Sequence, residues 1–173
     1  DCTQIEVRLT GHESSDPVLL DVYNVAHRDI HTNTMCEVFG YDYDEALEIL
    51  SDNDHPQYEE VYIKRKISKI TNFLVIYGGG APNLRDQIST PKRPYSIDEC
   101  QEFIDKYLNK LKGVKKWIYK VSAQVLQDGF VQNYFGRYRR FPELESRGLL
   151  EWQRKRCQRQ AVNFCIQSLA ADL

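Results

Sequence analysis

Arg65-Lys66-Ile67-Ser68-Lys69-Ile70-Thr71-Asn72-Phe73-Leu74-Val75-Ile76-Tyr77-Gly78 is the stretch on which the reading of this chain turns. Arg65, Lys69, Phe73 and Tyr77 follow one another at intervals of four. Four residues of α-helix turn about 400°, so each step drifts by only about 40°. The four side chains therefore share one slowly rotating stripe, cationic at its N-terminal half and aromatic at its C-terminal half. Such a stripe matches a nucleoside triphosphate, with phosphates at the charged end and base and sugar against the rings. Arginine grips phosphate oxygens with its fork and lysine acts as a point charge. On spacing alone, an ordinary amphipathic helix with solvated cations and buried rings accounts for the pattern better.

Outward from this stretch the chain is mostly helical. Residues 58–77 form one long helix, which Gly78-Gly79-Gly80-Ala81-Pro82 stops. Upstream, residues 17–27 have mixed helical spacing. Asp29 to Phe39 reads as a helix closed by Gly40, Tyr43 to Leu50 as a short one, and 51–56 as a polar loop. Downstream, Ser96 and Glu99 make a capping box for a helix reaching about Leu111, and Val114 to Leu126 continues as another. Residues 129–138 alternate around Gly136 and predict a β-hairpin. Leu149 to Leu169 reads as a final long helix. The fold class expected is mainly α (α+β), with one small antiparallel ribbon.

Composition agrees with a globular chain: 42% hydrophobic and 28% charged over 173 residues. No apolar run nears the roughly 20 residues that span a bilayer, so no membrane association is expected. Cys2, Cys36, Cys100, Cys157 and Cys165 lack metal spacing and are expected to be reduced thiols in a cytoplasmic setting. The net charge of −2 is uneven, with −13 over residues 1–60 and +11 over residues 61–173. A basic C-terminal two-thirds suits a phosphate-backbone binder, or equally a set of solvated helix faces. The chain begins at Asp1 and its one Met is Met35, which suggests a processed or partial sequence.

Six stretches, in order, carry a family resemblance. Asp1-Cys2-Thr3-Gln4-Ile5-Glu6-Val7-Arg8 resembles motif A of the family A (bacterial polymerase I-like) DNA polymerases, D-Y-S-Q-I-E-L-R. Arg28-Asp29-Ile30-His31-Thr32 and Glu37-Val38-Phe39-Gly40 match its R-D-I-H-T and E-V-F-G strings. Arg65 to Gly78 resembles motif B, R-x-x-x-K-x-x-N-F-G-x-x-Y-G. Phe135-Gly136-Arg137, with Arg139 and Arg140, is similar to F-G-R-x-R, and Gln167 to Leu173 to Q-G-x-A-A-D-L.

The resemblance implies a DNA-directed DNA polymerase that adds dNTPs to a primer on a DNA template with two Mg²⁺ ions, in replication or repair. It implies a bacterial or viral source, with an organelle as the alternative, and, most simply, a monomer. Residues 1–12 would be a palm segment, 13–128 helical fingers with the nucleotide-binding helix 58–77, and 129–173 a hairpin and helix returning to the palm. Asp1 would be the catalytic metal ligand, for two ions roughly 4 Å apart. Lys69, also catalytic, and Arg65 would bind the triphosphate, with a further phosphate contact from His31 and nucleotide contacts from Gln4. Glu6, tethered by Tyr77, would exclude a ribose 2′-hydroxyl; taken alone, it suits a surface carboxylate on a strand edge. Phe73 stands where phenylalanine disfavours dideoxynucleotides.

On the DNA side, Tyr77 and Gly78 would meet the template base. Arg159, Asn163 and Gln167 would follow the duplex minor groove, whose acceptors report pairing geometry rather than sequence. Arg137, Arg139 and Arg140 would hold phosphates. The family's second metal aspartate, in an H-D-E string, is expected beyond Leu173, so this stretch alone is expected to be inactive. Leu74 in place of glycine and Cys2 in place of tyrosine depart from the pattern. A non-catalytic nucleic-acid-binding module of the same shape is the alternative.

Overall fold

A computed structural model describes residues 4–146 and 148–173. Asp1, expected to ligate metal, lies outside the described residues. The order of elements is α1 (Ile5–Ser14), α2 (Pro17–Asn24), α3 (Ile30–Phe39), α4 (Tyr43–Ser51), α5 (Tyr58–Ile76), α6 (Ala81–Ile88), α7 (Ile97–Lys110), α8 (Lys112–Asp128), β1 (Phe130–Gln132), β2 (Tyr138–Arg140) and α9 (Glu151–Asp172). The mainly helical expectation holds, and β1 and β2 form the single antiparallel ribbon among the described residues.

Local chemistry explains most boundaries. Asp29 caps α3 through the Thr32 amide, and Gly40 closes it at φ 79°, a backbone region that suits glycine. The Ser96–Glu99 capping box opens α7 as expected. In the ribbon, Phe130 pairs with Arg140, Val131 with Arg139 and Gln132 with Tyr138, so the strands run two residues past the anticipated end at Tyr138.

Two expectations need correction. The Gly-Gly-Gly-Ala-Pro run ends α5 but also starts α6. Pro82 sits in the first turn, where a missing N–H costs nothing, and Ala81, Leu84 and Ile88 supply a buried face. Glu6 lies in the first turn of α1, not on a strand edge. Val7, Thr10 and Gly11 are the buried residues of this helix, a spacing of three and four that only a helix directs to one side.

The main core runs from Val7 in α1 through Ile67, Leu74 and Val75 in α5 to Cys157 and Ile166 in α9. It therefore spans all three stretches delimited at residues 12 and 128. Asp16 fastens the N-termini of two helices at once. Its Oδ1 accepts from the amides of Val18 (3.0 Å) and Leu19 (3.4 Å), and its Oδ2 from those of Gly113 (2.8 Å) and Val114 (3.2 Å). A second, smaller cluster of Met35, Ala46, Ile49 and Val61 seats α4 on α3 and α5.

Candidate functional site

Helix α5 has two distinct sides. Ile67, Thr71, Leu74 and Val75 are buried, while Lys69 and Tyr77 are exposed and Phe73 is half-buried. The rings of Phe73 and Tyr77 stack at 6.5 Å with planes 17° apart, which keeps the aromatic half of the stripe in register. Lys69 makes no ion pair among the described residues, and it borders two open cavities. One, of about 410 Å³, continues along Phe73, Leu74 and Tyr77 to Asn83 of α6. The other, of about 340 Å³, is lined with Arg65, Lys66 and Tyr62.

Arg65 is only partly available. Its Nη2 donates to Asp29 Oδ2 at 3.0 Å and its Nε to Thr32 Oγ1 at 2.8 Å, so the N-terminus of α3 orients the guanidinium. The same Asp29 oxygen accepts from the Thr32 amide and hydroxyl, and its Oδ1 accepts from Gln4 Nε2 at 3.3 Å. Burial pushes the Asp29 carboxyl up. The Thr32 hydrogen bonds and the Arg65 cation outweigh it and hold the carboxyl below its ordinary value.

His31 is buried beside this cluster, 5.7 Å from the Phe73 ring. Burial pushes its pKa down to about 4; Asp29 opposes the shift, and the Arg65 and Lys69 cations add to it. The imidazole is therefore neutral at pH 7. Asn72 Nδ2 lies 3.1 Å from His31 Nδ1 and can only donate, which leaves the ring proton on Nε2. His31 offers a phosphate an N–H dipole rather than a charge.

At the far end of the stripe three helices meet at one hydroxyl. Tyr77 Oη accepts from Gln167 Nε2 of α9 at 3.2 Å and lies close enough to the Glu6 carboxylate of α1 to feel its charge. Burial, then the nearby Glu6 charge, raises the Tyr77 pKa. Gly78 follows at φ 70°, where a Cβ would stand 2.6 Å from Cβ of Arg159. The backbone at Gly78 therefore packs closely against Arg159 of α9. At Gly79 a Cβ would stand 2.6 Å from Leu74 Cδ1, so Leu74, the unusual residue after Phe73, occupies the space this glycine leaves.

Arg159, Asn163 and Gln167 share the side of α9 that turns toward Tyr77 and Gly78. The Asn163 Oδ1 atom is buried and has no hydrogen-bond partner among the described residues. The next strip of α9 holds the ribbon. Asn133 Nδ2 donates to Ser168 Oγ (3.0 Å) and Asp172 Oδ2 (2.7 Å), while its Oδ1 accepts the amides of Phe135 and Arg137. Arg137 pairs with Asp172, and Arg139 donates to Gln160 at 3.1 Å. Of the three expected phosphate-binding arginines, only Arg140 has no ion pair or hydrogen bond among the described residues. Among those residues, no group of three or more His, Cys, Asp or Glu side chains is placed to hold a metal ion.

The sequence profile of DNA polymerase family A matches residues 1–173. The chain belongs to DNA polymerase family A. It is 34% identical over its whole length to the thermostable DNA polymerase I of Thermus aquaticus and 34% identical to DNA polymerase I of Pseudomonas aeruginosa. It spans 18% and 16% of those relatives, respectively. Among solved structures it is similar to the POL domain of Pol1 from M. smegmatis, in complex with DNA primer-template and dNTP. The TM-score is 0.77 and the identity 28%, over 98% of this chain and 26% of that one.

In this family A chain, sequence reasoning missed the residues that aim the stripe rather than those on it. Asp29 and Thr32 orient Arg65, Asn72 sets the His31 tautomer, and Asn133 fastens the ribbon. Asp29 carried a signal, since an Asp before a helical run is a cap and a cap carboxylate attracts a cation. Asn133 carried none, because its partners lie 35 and 39 residues away.

Proposed function

We propose that this chain is the nucleotide-binding part of a DNA-directed DNA polymerase, acting within a longer protein on dNTPs and primer–template DNA. The observation that supports this reading best is the meeting of Glu6, Tyr77 and Gln167. It joins the expected nucleotide stripe to the expected duplex face at a single hydroxyl. In this reading Lys69 and the oriented Arg65 hold the triphosphate, with Gln4 fixing the Asp29 end and His31 donating through Nε2–H. Phe73 and Tyr77 form the floor beneath sugar and base. Glu6, held by Tyr77, fills the space of a 2′-hydroxyl. Gly78, Arg159, Asn163 and Gln167 face the duplex, and Arg137, Arg139 and Arg140 its phosphates. Residues 1–12 belong to the palm, 13–128 to the fingers and 129–173 to the return path, in a cytoplasmic enzyme of bacterial or viral source.

Mg²⁺ suits the carboxylate and phosphate oxygens of such a site. The described residues do not by themselves form a metal cage, so the ions would rest on Asp1 together with carboxylates contributed elsewhere. On this reading residues 1–173 alone do not extend a primer. The test is steady-state incorporation by the intact polymerase. Lys69→Ala should lower kcat/KM for dNTPs by at least about 100-fold, equivalent to about 2.7 kcal/mol. Phe73→Tyr should raise dideoxynucleotide use relative to dNTPs. Normal kcat/KM in the first variant and an unchanged ratio in the second would overturn the assignment.

A further inference from the structure

We infer that the outer face of the β1–β2 ribbon is a stacking site for one unpaired nucleobase of a DNA strand. The inference rests on the polymerase reading above and adds to it a subsite of aromatic character. Side chains alternate across a ribbon. Val131 is buried, and Arg139, paired with it, reaches Gln160 of α9. Phe130, paired with Arg140, and Tyr138, paired with Gln132, lie on the other face, toward solvent. Phe130 is 39% and Tyr138 56% exposed, so both rings of this face present apolar surface to solvent.

These rings are arranged. Phe130 and Tyr138 meet edge to face at 6.5 Å and 78°, and the Arg140 guanidinium lies over one face of the Tyr138 ring, 5.4 Å from its centroid, leaving any base to stack on the other. Together the three side chains line an open notch of about 280 Å³. That volume has room for one flat ring.

Charge selects the occupant. Residues 129–173 carry eight Lys/Arg and four Asp/Glu, and Arg140 is uncommitted to any carboxylate among the described residues. A solvent-exposed ring already stacked on a guanidinium that has no carboxylate partner suits a single strand: a base adds to the stack and the cation meets the phosphate. A duplex hides its base faces, so the strand must be unpaired there. The ribbon is also fixed to the same helix that carries Arg159, Asn163 and Gln167, which makes the notch continuous with the proposed duplex face.

The experiment uses the intact polymerase and single-stranded oligodeoxynucleotides, either normal or abasic across the central positions, compared by equilibrium binding. Tyr138→Ala should weaken binding of the normal strand about 5- to 150-fold, the range of one base–aromatic stack, and leave the abasic strand unchanged. Tyr138→Phe should bind like wild type. A strand carrying 5-iodouracil should photo-cross-link to wild-type Tyr138 or Phe130, which tests the contact without any substitution. Equal loss on both strands, no loss on either, or cross-links that avoid both rings would overturn the inference. Primer extension by the wild-type enzyme, run in parallel, reports on the polymerase reading independently of these outcomes.

Discussion

Replacing Asp16 with alanine should destabilise the protein by about 2–4 kcal/mol, because one carboxylate caps two helices and each lost cap costs about 1–2 kcal/mol. The four amides it serves belong to Val18 and Leu19 at the start of α2 and to Gly113 and Val114 at the start of α8. Asp16 is fully buried, so water does not replace the lost acceptor without opening the joint. Asp16→Asn keeps one acceptor oxygen and sets an NH₂ against the other pair of amides, so it should lose at least half as much. Gly113→Ala attacks the joint from the opposite side, since its Cβ would stand 2.7 Å from Asp16 Cα. Urea unfolding followed by the fluorescence of Trp117, buried in α8, measures all three. For a domain of this size the alanine variant should melt roughly 5–15 °C below wild type. A loss under about 0.5 kcal/mol for Asp16→Ala, within the range of ordinary surface substitutions, would refute the two-cap reasoning.

Three further outcomes follow from the site. His31 has a folded-state pKa of about 4 against an ordinary 6.5, so the unfolded chain binds the extra proton between these values. Stability should be fully present above pH 6.5 and fall by up to about 3 kcal/mol as pH drops toward 4. His31→Gln should remove this dependence, and an unchanged slope in urea-unfolding titrations would contradict the assignment. Glu6→Ala should raise ribonucleotide incorporation by at least about tenfold, or 1.4 kcal/mol, and Tyr77→Phe by less; competition assays with paired rNTP and dNTP would expose the error if discrimination persisted in both. Gly78→Ala should cost about 2 kcal/mol or more, from the left-handed backbone and the contact with Arg159. A wild-type melting temperature in that variant would show that α5 and α9 are not so closely packed at this point.

Much of the fold was legible because its signals are local. The Ser96–Glu99 box, Gly40 and the alternation around Gly136 each act within a few residues, and the structure places an element boundary or turn at every one. Helix α6 was hidden because Gly78-Gly79-Gly80 and Pro82 read as a terminator. The same proline serves equally well in a first turn, and only the core contacts of Leu84 and Ile88 choose between the two. Glu6 was similarly ambiguous, since a two-residue pattern in a short segment does not distinguish strand from helix until a neighbour buries one side.

What the sequence determined by itself is the stripe: Arg65, Lys69 and Phe73 fall on one side of α5, with Tyr77 at its C-cap, because helical geometry carries them there. What only the tertiary structure decided is the state of each member. Arg65 is turned and half-engaged by Asp29 and Thr32, His31 is neutral, and Tyr77 is shared between Glu6 and Gln167. These facts depend on groups 33 to 90 residues apart being packed within hydrogen-bonding distance. Helical periodicity is written in neighbouring residues, whereas burial and hydrogen-bond partners exist only after distant helices have met.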